Sequence, residues 1–202
     1  MDIGCATGSY LLELERLGYQ GKGIDLDPNM IAIAKAKAKQ RGLNTKFQVG
    51  DMLRLPSESD YLGVMSIGNT LVHAPSVMAA SRVISGVYQG LRPGGTFILQ
   101  IINYDRVLDQ NMDQLPLISN PGIRFQRQYE FSADKIVFHS EIQLTETGQV
   151  LHHTVDLIPI RKDEVIHLLE SCGFMQCQAW SGFSDKPFDR ENSLQLVMTC
   201  HK

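Results

Sequence analysis

Met1-Asp2-Ile3-Gly4-Cys5-Ala6-Thr7-Gly8 runs directly into Tyr10, Leu11, Leu14 and Leu17, which fall at helical spacing. The run reads as the end of a strand, a tight turn of small residues and the start of a helix. Gly4, Ala6 and Gly8 let backbone come close to a ligand, and the helix N-terminus behind them offers unpaired N–H groups. A turn of this kind is a cofactor seat. Its small residues alternate after the acidic Asp2, unlike the G-x-G-x-x-G spacing of the dinucleotide fingerprint.

Outward from this turn the chain alternates strand and helix. A helix from Tyr10 to Leu17 closes at Gly18, a short buried strand spans Gly21 to Ile24, and Pro28 suits the first turn of a second helix. Met30 to Gln40 alternates like a strand, but its alanines and lysines favour helix, and Lys35, Lys37, Lys39 and Arg41 read as a solvated face. Lys46 to Val49 and Tyr61 to Ile67 are the next strands. A helix between Pro75 and Leu91 ends at the breaker Arg92-Pro93-Gly94-Gly95, and Thr96 to Ile102 is a fifth strand. This order predicts an α/β fold with a Rossmann-like, doubly wound, mostly parallel sheet.

Beyond residue 120 the pattern changes to period-two alternation. Ile123, Phe125, Tyr129 and Phe131 alternate with polar residues, and Lys135 to Leu144 and Val150 to Ile158 follow. Residues 121–160 are therefore expected to form an antiparallel β lid inserted in a single domain, 1–202. A helix from about Lys162 to Cys172 then leads into a closing antiparallel hairpin, Met175 to Gly182 and Ser193 to His201. Tyr129, His139, His152 and His153 are candidates to line a pocket, with the face each takes left open.

Composition narrows the class. The chain has 202 residues, 43% hydrophobic and 20% charged, enough for one full core without a membrane segment. A net charge of -3 argues against nucleic acid as a partner and towards a small molecule. Cys5, Cys172, Cys177 and Cys200 form neither a C-x-x-C pair nor a framework, so reduced thiols in a cytoplasmic setting are expected, without a metal. No leader precedes the turn, so no signal peptide is expected. Oligomeric state is undetermined.

Ligands in open α/β sheets bind beyond the carboxyl ends of the strands, and four such ends carry informative residues. They are the Gly4/Ala6/Gly8 turn, Asp25 with Leu26, Asp51 with Met52, and Ile67-Gly68-Asn69-Thr70-Leu71-Val72-His73. Each has a plain structural alternative. Asp27 competes with Asp25, one of them serving as a helix cap; Asp51 suits a turn; His73 suits a hydrogen-bonded structural role.

Asp2-x-Gly4-x-Ala6-x-Gly8 resembles motif I of the class I S-adenosylmethionine-dependent methyltransferases. The blocks Ile67 to His73, Leu91 to Gly95 and Asn103-Tyr104-Asp105 resemble those of its glycine/sarcosine N-methyltransferase branch, over residues 1 to about 105. The resemblance implies S-adenosylmethionine as cofactor, held by Asp2, Gly4, Cys5, Ala6, Gly8, Asp25, Leu26, Asp51, Met52, Ile67 and Gly68. Asp25 would hold the ribose and Asp51 and Met52 the adenine. Asn69, His73 and Tyr104 would carry catalysis of methyl transfer to N or O of a small acceptor. Ile102 stands where glycine methyltransferases place a carboxylate-binding arginine, with Arg106, Arg124 or Arg127 as possible substitutes. In that family the first strand lies mid-sheet after further helical residues, so the N-terminus is expected to be truncated. An inactive S-adenosylmethionine-binding fragment is the main rival reading, with a nicotinamide-dependent oxidoreductase behind it.

Overall fold

The computed structural model describes residues 1–55 and 60–202. In chain order the elements are β1 (Asp2–Ile3), α1 (Ser9–Arg16), β2 (Lys22–Asp25), α2 (Pro28–Gln40), β3 (Lys46–Val49), β4 (Tyr61–Ser66), α3 (Val77–Gly90) and β5 (Leu91–Ile102). They continue as α4 (Tyr104–Asp109), β6 (Ile118–Ser119), β7 (Ile123–Phe131), β8 (Ile136–Leu144), β9 (Val150–Leu157), α5 (Lys162–Ser171), β10 (Met175–Trp180) and β11 (Gln195–His201). Single 3-10 turns at Met52–Arg54 and Thr70–His73 follow β3 and β4.

The main sheet has seven strands in the order β10-β11-β5-β4-β1-β2-β3. β1 to β5 are parallel, and β11 runs antiparallel to both β5 and β10, which is the expected mostly parallel sheet with a closing hairpin. The order reverses between β1 and β4, the switch point where open α/β sheets leave a crevice. β1 is two residues long, yet Ile3 is fully buried between β2 and β4.

The helices owe their positions to local chemistry. Asp27 caps α2 by accepting from Asn29 N at 2.7 Å, Pro28 occupies the first turn, and Ile31, Ala34 and Ala38 give it a buried stripe. Of the lysines read as a solvated face, Lys37 instead reaches Thr7 Oγ1 at 2.7 Å. Ser76 caps α3, whose Ala80, Val83, Ile84 and Val87 are buried against the sheet.

Two expectations need correction. The stretch Arg92-Pro93-Gly94-Gly95 does not separate α3 from β5; β5 already begins at Leu91, and its register with β4 shifts between Tyr61 and Gly63. The irregular register absorbs Pro93, which has no N–H for a ladder. The helix α4 lies inside a block read only as a motif.

The second sheet is antiparallel, in the order β6-β7-β8-β9. Its period-two pattern resolves into two faces. Tyr129, Ile136 and Leu157 are buried on the inner face and join the same hydrophobic cluster as Ile3, Leu71 and Leu99. The outer face carries the pairs His139–Glu130 (3.3 Å), His152–Glu141 (3.6 Å) and Lys135–Asp156 (3.1 Å). His139 and His152 thus point away from the main sheet, whereas Tyr129 and His153 face it. Ile158 N donates to Val72 O at 2.9 Å and pins the end of the sheet to the Thr70–His73 turn.

Gly8 adopts φ 77°, and a Cβ there would lie 2.4 Å from Phe47 Cζ. Gly8→Ala is expected to cost about 2–4 kcal/mol, from the left-handed backbone and the overlap together. Urea unfolding checks this, and Phe47→Leu in the same chain should recover part of the loss.

Asp2 is 2% exposed and its Oδ2 has no hydrogen-bond partner among the described residues. Burial pushes its carboxyl from 3.8 up to about 7. The folded chain then holds a proton that the unfolded chain has released, so stability falls as pH rises across that window. Asp2→Asn is expected to be more stable than the parent at pH 8 by roughly 2–4 kcal/mol and equal to it near pH 4, as read from urea midpoints.

Candidate functional site

The carboxyl ends of β1, β2, β3 and β4 open on one rim of the sheet. At β1, Gly4 N and Cys5 N both donate to Ile24 O at 2.9 Å, and Gly8 N donates to Cys5 O at 2.8 Å, which folds the chain tightly back. Both glycines are demanded by packing as well as by the turn. A Cβ on Gly4 would meet the Thr70 side chain at 2.5 Å, and Gly8 lies against Phe47. Ala6, at φ 45°, is the exposed residue of the turn, whereas the Cys5 side chain is buried beneath it with Leu11 and Leu12.

Asp25 ends β2 and holds the turn in place. Its Oδ2 accepts from Ala6 N at 2.8 Å and its Oδ1 from Asp27 N at 2.9 Å. Asp27 caps α2 through its own Oδ1, whereas Asp25 is bonded to the turn after β1. Each Asp25 oxygen retains a further lone pair for a ligand hydroxyl. Next to it Leu26 is 72% exposed, an apolar side chain left uncovered at the rim. Asp51, after β3, accepts from Leu53 N through Oδ1 at 2.9 Å, and Met52 packs partly into the core.

After β4 the chain passes Ile67 and Gly68 into Asn69, which adopts the left-handed conformation at φ 68°. Gly68 N donates to Gln100 Oε1 at 2.6 Å and Asn69 N to Gln100 O at 3.3 Å. Gln100 was not singled out from the sequence; a lone amide inside the apolar run Phe97 to Ile102 was the available signal. Ile102 N donates to Asn69 Oδ1 at 3.0 Å, which turns Asn69 Nδ2 toward the Tyr104 hydroxyl, also at 3.0 Å.

Tyr104 is 1% exposed. Burial raises its hydroxyl pKa well above the ordinary phenol value, and burial likewise pushes that of Tyr129, from the second sheet, up to about 12. The residues on either side of Tyr104 are structural. Asn103 Nδ2 donates to Arg190 O and Ser193 O, both at 2.9 Å, and its Oδ1 caps α4. Asp105 accepts from Lys162 N at 2.8 Å and lies 3.4 Å from Arg161, which also pairs with Asp109 at 2.8 Å. His73 sits on the accessible side of its turn. Desolvation by its neighbours, and then the nearby His153, hold its pKa below the ordinary imidazole value.

The rim thus brings together the Gly4–Gly8 turn, Asp25 and Asp51 on one side and Asn69, Tyr104 and His73 on the other, with Thr70 joining the two at Gly4. The orphaned Asp2 oxygen, the free lone pairs of Asp25 and the uncovered Leu26 fit an adenosyl cofactor carrying hydroxyls, an apolar ring and an ammonium.

Comparison with known proteins agrees. Residues 1–95 match the family described as Methyltransferase domain. A demethylmenaquinone methyltransferase from Lactococcus lactis is 34% identical over 102 residues, covering 48% of this chain and 39% of that protein. A carboxy-S-adenosyl-L-methionine synthase from Wolinella succinogenes is 28% identical over 192 residues, covering 91% of this chain and 72% of the other. From the branch that the sequence blocks resemble, a glycine/sarcosine N-methyltransferase of Aphanothece halophytica is 22% identical over 187 residues, covering 92% of this chain and 69% of that one. The crystal structure of an S-adenosylmethionine-dependent methyltransferase from Clostridium acetobutylicum superposes with a TM-score of 0.83 at 15% identity, over 99% of this chain and 82% of that one. In its matching domain over residues 1–95, its strand order and its rim, the chain is similar to the class I S-adenosylmethionine-dependent methyltransferases.

Proposed function

We propose that the protein moves the methyl group of S-adenosylmethionine to nitrogen or oxygen of a small molecule bound between the rim and the inner face of the second sheet. The observation that supports this best is the contact of Thr70 with Gly4, which sets the Asn69–His73 segment directly beside the turn. The names of the relatives, which span demethylmenaquinone, carboxy-S-adenosylmethionine and glycine or sarcosine, favour small molecules. We read residues 1–202 as one domain with 121–160 as its lid. The negative net charge and four free cysteines favour a cytoplasmic enzyme with no nucleic-acid partner.

In this reading Asp2, the 4–8 turn, Asp25, Leu26, Asp51, Met52, Ile67 and Gly68 hold the cofactor, Cys5 through its backbone. S-adenosylmethionine supplies an electrophilic methyl on a sulfonium, so the protein's task is chiefly alignment, worth up to roughly 7–11 kcal/mol in favourable cases. Asn69 and Tyr104 fix the acceptor by hydrogen bonds; Asn69 is itself held by Ile102 N and so is pre-oriented. His73 takes the proton that an attacking amine or hydroxyl must lose, and its lowered pKa keeps the imidazole neutral at pH 7.

Asp25→Ala is expected to weaken S-adenosylmethionine binding by about 10-fold or more in calorimetry, whereas Asp27→Ala leaves affinity unchanged and costs about 1 kcal/mol of stability. NADH bound tightly by a chain that ignores S-adenosylmethionine contradicts the proposal. In S-adenosylhomocysteine-release assays, His73→Ala should lower kcat by roughly 100- to 10,000-fold. The acidic limb of the parent's kcat profile should lie below pH 6.5, because activity rises with pH only until His73 is neutral. Full turnover by both Asn69→Ala and His73→Ala withdraws their roles, and cofactor binding without transfer to any acceptor favours a non-catalytic protein.

A further inference from the structure

The edge of a sheet presents a row of unpaired N–H and C=O groups to whatever strand can reach it, and the two sheets have four edges between them. Three of the four are blunted. β3, at one end of the main sheet, is four residues long and opens on Lys46. β10, at the other end, is bulged between Met175 and Gln178, with Gln176 at φ 51°, and Phe188 N donates to Ala179 O across it at 3.1 Å. β6, at one end of the second sheet, has two residues.

The fourth edge, β9, has none of these features. Val150–Leu157 is eight residues long, pairs with β8 without a register shift, and contains no Lys, Arg, Pro or Gly. Among the described residues no strand lies on its far side. Its bonding direction is fixed at both ends. Leu144 N donates to Gln149 O at 2.8 Å, so the odd-numbered residues of β9 bond toward β8. Ile158 N donates the other way, to Val72 O at 2.9 Å. The N–H and C=O groups of Val150, His152, Thr154 and Asp156 therefore point into the open edge, where the side chains of Val150 and Leu151 are 40% and 47% exposed.

A second copy of the strand complements this edge. Two copies related by a two-fold axis pair antiparallel, and the residue on the axis sets the register. With His152 or His153 on the axis, an imidazole is set against its own copy. With Thr154 there, Thr154 meets Thr154, His153 meets Val155, His152 meets Asp156 and Leu151 meets Leu157 of the other chain. Residues directly opposite share a face, so Leu151 extends the inner apolar surface that Leu157 already joins. On the outer face His152, 3.6 Å from Glu141, comes opposite Asp156, which lies 3.1 Å from Lys135. Thr–Thr, aliphatic and imidazole–carboxylate pairs are all favourable across antiparallel strands.

We propose that the open edge of β9 is the contact between two copies of this chain, joined antiparallel about Thr154 into a continuous sheet of eight strands, four from each copy. This goes beyond the methyltransferase reading and does not depend on it.

Sedimentation of the full chain over roughly 1 µM to 1 mM should show a monomer–dimer equilibrium and no larger species, the affinity range of an interface below standard size. Thr154→Pro removes an outward N–H and no bond to β8, and should weaken association about 10-fold or more with the circular dichroism unchanged. Thr154→Cys, on the axis, should cross-link two copies through a disulfide when treated with oxidised glutathione, since directly opposite Cα atoms lie about 5.5 Å apart. His152→Cys should not, because its two copies would lie roughly 14 Å apart along the strands. A chain that stays monomeric leaves the edge to a different partner and overturns the proposal. Association beyond the dimer, a dimer indifferent to Thr154→Pro, or cross-linking at position 152 in place of 154 overturns it too. The parent's sedimentation and the cysteine variants decide the matter even if the proline variant fails to fold.

Discussion

The hydrogen bond from Ala6 N to Asp25 Oδ2, 2.8 Å long, fixes the geometry on which the rim depends. β1 offers only two residues of ladder, so the turn after it needs a restraint from outside its own strand. Asp25 supplies one by bridging to the turn through one oxygen and to the entrance of α2 through the other. Charge-assisted bonds of this kind are about twice as strong as neutral ones. The carboxylate is thereby oriented before any ligand arrives, which reduces the ordering cost of binding.

A second restraint couples the lid to the rim. Ile158 joins β9 to the Thr70–His73 turn through the backbone, and Tyr129 buries its ring beside Tyr104. Burying side chains such as Tyr129, Ile136 and Leu157 contributes roughly 1.5–3 kcal/mol each. The second sheet is therefore anchored along one edge by an apolar strip. On the outer face, exposed pairs such as His152–Glu141 contribute little to stability but keep that side wetted and fix which face turns inward.

Most of the parallel half was legible in the sequence because its signals are local. Strand ends, the Pro28 start of α2 and the small-residue turn each follow from a few neighbouring residues. The Asp25/Asp27 ambiguity was not local: either acid satisfies a cap, and only the path of α2 shows that Asp27 does so. The glycines of the turn were read for ligand approach, whereas Gly4 and Gly8 are also required by Thr70 and Phe47, which lie 66 and 39 residues further on (70 minus 4, 47 minus 8). The lid strands were recognisable from alternation, but a period of two marks two faces without saying which is buried. His139 and His152 therefore looked equivalent to His153 until the sheet was placed.

The Asn103-Tyr104-Asp105 block shows why a motif can be right as a whole and misleading in its parts. Asn103 and Asp105 are buried because they hold the 189–193 segment and the start of α5, and only Tyr104 between them turns to the rim. Two clamped flanks leave Tyr104 no freedom to swing, which a short helix such as α4 would not secure alone. Ile102 obeys the same logic. Its backbone N–H orients Asn69, and its side chain packs against the core, so replacing it changes the chemistry of the rim only if the backbone stays in place. On the proposed reading the cofactor seat lies in the part of the chain with the strongest local sequence signal, the turn after β1.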